Sequence, residues 1–182
     1  MNAITLRSMF REDIPHVAVW IAASPLWQRY HLDAAKASRQ LDRAVTHGDL
    51  LIAAATPDDK ICGLAWCLIN GAFGRSMYLR LLGVDGAYRG GGVGALLLDE
   101  AERRAAALSQ DMVLLVSDFN TSAQRFYQRQ GYTQVGALPG YVLSDVTELI
   151  FWKPLPAVSQ TIVRSEKEAQ PIDNEGPQEH TP

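Results

Sequence analysis

Residues 79–108 read LRLLGVDGAYRGGGVGALLLDEAERRAAAL. An apolar run from Leu79 to Val84 leads into a glycine-dense turn with a single arginine, Arg89, and from Val93 onward the apolar positions take helical spacing. Strand, glycine turn and helix in that order make an anion cradle. Gly90, Gly91, Gly92 and Gly94 let the backbone take positive φ and approach a ligand closely, while the first amides of the helix lack internal partners and sit at the positive end of its dipole. A phosphate group fits there. Four glycines in five residues also cost conformational entropy that a bare connection does not require, which favours a ligand loop over a packing turn.

Working outward, Ala3 to Ser8 alternates as a strand, and Asp13 before Ile14 and Pro15 marks a helix start with an N-cap and an early proline. Ser24 to Asp33, SPLWQRYHLD, reads as a loop crowded with Trp27, Tyr30 and His31. Ala34, Ala37, Leu41, Ala44 and Val45 then keep helical spacing to a Gly48 C-cap. The apolar runs Leu50 to Thr56 and Ile61 to Asn70 flank the turn residues Pro57, Asp58, Asp59 and Lys60, a hairpin, and Ser76 to Val84 is the next strand. After the glycines, Val93, Leu96, Leu97, Ala101, Ala105 and Leu108 form one stripe, with Asp99–Arg103 and Glu100–Arg104 as exposed i,i+4 pairs. Met112 to Val116 is a buried strand. Thr121 with Gln124 predicts a capping box for a short helix that Gly131 stops, and strands near Thr133 to Gly136 and Val146 to Trp152 complete the order. The stretch Gly136 to Tyr141 reads as a loop. No repeat is visible, and the order predicts a single α/β domain, a mixed sheet with helices on both faces.

At 182 residues the chain can bury a real core without staples. Cys62 and Cys67 fall on one strand at an odd separation, which predicts opposite faces and no bridge. Residues 154–182 carry two basic and five acidic residues, five prolines and no Phe, Trp or Tyr, the composition of a disordered tail following a domain over 1–153. The body has 15 charges of each sign, and neither a basic run nor a basic amphipathic helix appears, so nucleic acid and anionic membrane are not expected partners. With no leader at Met1 and no apolar run long enough to span a bilayer, a cytoplasmic protein with reduced thiols is the expectation.

Three ligand classes compete for the turn. A P-loop needs Gly-Lys-Ser/Thr at the helix start, whereas Gly94 is followed by Ala95 and Leu96. Gly90, Gly92 and Ala95 satisfy the dinucleotide fingerprint, yet Asp85 to Arg89 intervene after the strand and too little chain remains for a second mononucleotide half. The third pattern is Arg89-x-x-Gly92-x-Gly94, followed one strand and one helix later by Asn120, Ala123, Phe126, Tyr127, Gly131 and Tyr132. In these two motifs and in element order over residues 3–153 the chain resembles the GNAT superfamily of acetyl-CoA-dependent N-acetyltransferases.

That resemblance implies a mostly antiparallel central sheet and coenzyme A pyrophosphate held by Arg89, Gly90, Gly91, Gly92, Val93, Gly94 and Ala95. It also implies an acetyl carbonyl at the backbone of Leu82, Gly83 and Val84, a cofactor contact at Asn120, and Tyr127 as the general acid that protonates the leaving sulfur. It implies acetyl-CoA as co-substrate, no metal and no cysteine intermediate, in a monomer or homodimer. The loop bearing Trp27, Tyr30 and His31, together with Tyr78, is the candidate acceptor pocket. Three positions depart from the family pattern: Gly86 stands where proline is frequent, Gly91 where a basic residue is, and Tyr78 where a glutamate general base is. Asp118, Asp145 and Glu148 lie near strand ends, and the sequence does not choose among them for the base. A small-molecule primary amine is the expected acceptor; a peptide N-terminus or lysine is the alternative, and a non-catalytic acyl-CoA-binding regulatory domain the alternative of another class.

Overall fold

The computed structural model describes residues 4–156; the tail expected over 154–182 lies outside the described residues from 157 onward. Seven strands, β1 (Thr5–Ser8), β2 (Leu50–Ala55), β3 (Ile61–Ala72), β4 (Ser76–Val84), β5 (Asp111–Ser117), β6 (Thr133–Pro139) and β7 (Thr147–Pro154), form one sheet in the order β1-β2-β3-β4-β5-β7-β6. All neighbours are antiparallel except β4 and β5. A parallel pair needs a crossover, and helix α4 (Val93–Ala105) supplies it.

Both faces of the sheet are covered. Alternation along β2 sends Leu51, Ala53 and Ala55 to the side of α1 (Ile14–Ala23) and α3 (Ala34–His47), where Val17, Ile21 and Leu41 bury. Ile52 and Ala54 face α4 and α5 (Thr121–Arg129), among Leu97, Leu98, Ala101 and Tyr127. Gly48 at φ 74° closes α3 as the sequence leads one to expect. Among the described residues no helix is long and apolar enough to cross a membrane.

Several local expectations are corrected. Cys62 and Cys67 do not face opposite sides: Ala54 pairs with Gly63 and Ala55 with Ile61, so Cys62 is an extra, bulged residue, and both thiols lie free in the cluster under α4. Leu96 and Leu108 are exposed, and the buried stripe of α4 is Val93, Leu97, Leu98, Ala101 and Ala105. Arg103 pairs with Glu100, as does Arg104, rather than with Asp99. Asn120, not Thr121, caps α5, its Oδ1 accepting the Ala123 amide, while Gln124 donates to the Ser117 and Asp118 carbonyls instead of closing a capping box. Asp13 precedes α1 but turns its carboxylate back to Arg7 and the Phe10 amide. The stretch 24–33 contains a short helix, α2 (Pro25–Arg29), and β6 extends to Pro139 where a loop was expected. Leu155 is buried in the main cluster, with its amide on the Gln110 carbonyl.

Candidate active site

The parallel pairing of β4 with β5 lasts three residues, Met77 to Leu79 against Met112 to Leu114. There Arg80 bulges: Trp66 of β3 pairs with Leu81 and Cys67 with Leu79, which leaves Arg80 without an opposite residue. Beyond it β4 stays on β3 as far as Val84, and β5 stays on β7 as far as Ser117. The two strands part, so a wedge opens in the middle of the sheet. Two cavities, of about 710 and 790 Å³, occupy it, and they meet at Leu82, Asn120, Ala123 and Tyr127 with Leu26 and Trp27 of α2.

One cavity runs to the glycine turn. Leu82, Gly83, Val84, Arg89, Gly90, Gly94 and Asn120 line it, while Gly91, Gly92, Val93 and Ala95 do not, Val93 being buried in the core. Gly90 (φ 80°) and Gly92 (φ 82°) take the left-handed conformation that delivers the chain into α4, with Gly92 as N-cap. The amides of residues 90–94 have no acceptor among the described residues, and the first intrahelical bonds run from Ala95 and Leu96 to the Gly92 carbonyl. Arg89 folds back, its Nε donating to the Val84 carbonyl at 3.2 Å. At Gly83 an added Cβ would stand 3.0 Å from the ring of Trp20, which would have to yield by a few tenths of an ångström.

Tyr127 stands where the cavities meet. Its ring packs edge-on against Phe126 and Tyr132 within the main cluster, and burial pushes its phenol above the ordinary range near 10. A hydroxyl in that state keeps its proton throughout neutral pH.

The other cavity is lined by Trp27, Tyr30, Trp66, Tyr78, Tyr141 and Glu148, with Arg80 at its edge. His31 lines neither cavity; it is exposed, at φ 54°. Of the three carboxylates left open by the sequence, Asp145 is exposed and pairs with Arg29, and Asp118 is exposed and accepts the Thr147 amide. Glu148 is only 4% exposed. It sits on β7 opposite Ser117 of β5, and the Tyr30 hydroxyl donates to its Oε1 at 2.5 Å while contacting Ser117 Oγ, which then donates to Tyr30. Burial, then the bond to Glu148, pushes the Tyr30 phenol up to about 12. Tyr78 is also raised, by burial first and by the nearby Tyr141 and Glu148, against Arg80, which lowers it. In the sequence Glu148 shares a sheet face with Ile150, but as the second residue of β7 it is not set apart there from a strand-end carboxylate.

The family described as acetyltransferase (GNAT) matches residues 13–132. The fold recurs in solved structures of low identity. A protein from Desulfovibrio desulfuricans assigned to the GNAT family shares 19% identity at a TM-score of 0.71, covering 85% of this chain and 100% of that one. An aminoglycoside 6'-N-acetyltransferase complexed with coenzyme A shares 14% at 0.70, over 85% and 98% of the two chains. Ard1 from Thermoplasma volcanium shares 21% at 0.70, over 85% and 99%.

Proposed function

This chain belongs to the GNAT family of acetyltransferases, and from that premise we propose that it moves an acetyl group directly from acetyl-CoA to a primary amine of a small molecule. The observation that carries the reading is the continuity of the wedge: an amide-rich turn at one end, a buried carboxylate at the other, and Tyr127 between them. The free amides of residues 90–94 hold the pyrophosphate, and the unpaired edge of β4 over Leu82 to Val84 receives the acyl arm. Tyr78 takes the place of the family's frequent glutamate, and Glu148, brought in from β7, supplies the carboxylate instead.

An alkyl ammonium is neutral in fewer than roughly one molecule in a thousand at pH 7, so its proton must be taken before attack. Glu148 accepts it and passes it to water at the open mouth of the cavity. The amine nitrogen then bonds to the thioester carbonyl carbon, the carbon–sulfur bond breaks, and the Tyr127 phenol gives its proton to the departing thiolate. Tyr127 is reprotonated from solvent. The test is release of free thiol from acetyl-CoA across a panel of primary amines, with the acetylated amine identified by mass. Tight acetyl-CoA binding without acetylated product from any amine overturns the catalytic reading in favour of a non-catalytic acyl-CoA sensor.

A further inference from the structure

The acceptor cavity carries its own specificity. Glu148 is buried, its Oε1 is satisfied by Tyr30, and it has no Lys, Arg or His partner among the described residues. A carboxylate withdrawn from water and left without a cation is costly, and a ligand that brings one cation removes that cost. Glu148 is also the only carboxylate lining the cavity among the described residues. One cation is therefore all the site can neutralise. Among the described residues the only other charged lining residue is Arg80, whose guanidinium lies 4.8 Å over the Trp66 ring and adds no negative charge for a second cation.

The remaining wall is aromatic and apolar. Trp27 and Tyr30 meet at 6.5 Å between ring centroids, and Phe73, Tyr141 and Val142 at the mouth are 81%, 65% and 52% exposed. Three large apolar side chains around one opening bury their surface only when something apolar enters.

We propose that the acceptor is a monocationic arylalkylamine, with its ammonium on Glu148 and its ring among Trp27, Tyr30 and Tyr141. The proposal rests on the acetyl-transfer reading above and narrows it: a polycationic aminoglycoside needs several carboxylates where this cavity has one, and the aromatic faces favour a ring beside the single charge.

Binding and turnover are measured separately, with 2-phenylethylamine, ethylamine, kanamycin and a pentapeptide with a free amino terminus as probes. Calorimetry should show 2-phenylethylamine binding at least tenfold more tightly than each of the other three. Glu148→Gln, which keeps an acceptor oxygen for Tyr30, should lose at least tenfold of that affinity. Tyr141→Ala, at an exposed position, should weaken 2-phenylethylamine several-fold and leave ethylamine unchanged. Ethylamine, kanamycin or the peptide binding as tightly as 2-phenylethylamine overturns the assignment, as does a Tyr141→Ala protein that binds all four as before. If the expected order holds but no probe releases thiol from acetyl-CoA, the amine site stands and the transfer reading falls.

Discussion

A phenol buried among Phe126, Tyr132 and Phe151 gives up its proton reluctantly, and Tyr127 does so at the junction of two cavities. Its raised pKa sets the sign of a pH effect: the donor form persists below the folded pKa and is lost only as pH rises through it. No fall in rate from this residue is therefore expected at pH 10, where an ordinary tyrosine would ionise; the limb lies higher. Tyr127→Phe should cut turnover by roughly ten- to a thousandfold with acetyl-CoA affinity nearly unchanged, read by single-turnover kinetics beside calorimetry. Retained turnover where chemistry limits the rate returns Tyr127 to packing alone. Gly94 gives a second test. Its φ is ordinary and an added Cβ would meet Val84 and Phe126 at 3.7 to 4.0 Å, so Gly94→Ala should fold with an unchanged or higher melting temperature. A larger side chain enters the cavity floor, and with Gly94→Val acetyl-CoA should bind about tenfold more weakly, roughly 1.4 kcal/mol. Gly92→Ala instead strains a φ of 82° and should destabilise by about 1 kcal/mol.

At the scale of elements, α5 depends on its cap. Nine residues are few for a helix, and the Asn120 side chain satisfies the Ala123 amide at the end nearest the wedge. Asn120→Ala should cost about 1 kcal/mol, several degrees in a thermal melt, and should slow turnover because α5 is what carries Tyr127 to the junction. Elements with a long period or strong punctuation were legible: α3 between Asp33 and Gly48, the β2–β3 hairpin, and β4 to its last residue. What escaped was set by contacts. α2 has five residues, too few for a period, and the bulges at Cys62 and Arg80 leave no mark in composition yet reverse the parity on which facing was judged. Glu148 escaped for a related reason. Its inward direction follows from its register opposite Ser117, and that register belongs to two strands about thirty residues apart rather than to either alone.

For the molecule as a whole, the folded body reaches past the boundary suggested at residue 153. Leu155 is 7% exposed and its amide closes on Gln110, so a chain ending at Pro154 should be less stable than one ending at Pro156 by about 1.5 to 3 kcal/mol, and melt several degrees lower. Equal melting of the two would place Leu155 outside the cooperative unit. The fold class and the cavity at the glycine turn are signalled by motifs contiguous in the chain; the other cavity joins α2, β4, β5 and β7 and exists only once they assemble. The wedge itself bears on how such a sheet avoids self-association. Bare strand edges invite other chains to add on, and a sheet with a gap carries two more of them than its outline shows. Here β4 and β5 present those edges toward each other, walled by α2 and α5, where a slender linear molecule can thread but a second polypeptide sheet cannot stack. The inner edges of β4 and β5 thus offer no template for aggregation, and among the described residues that risk falls on the outer strands β1 and β6.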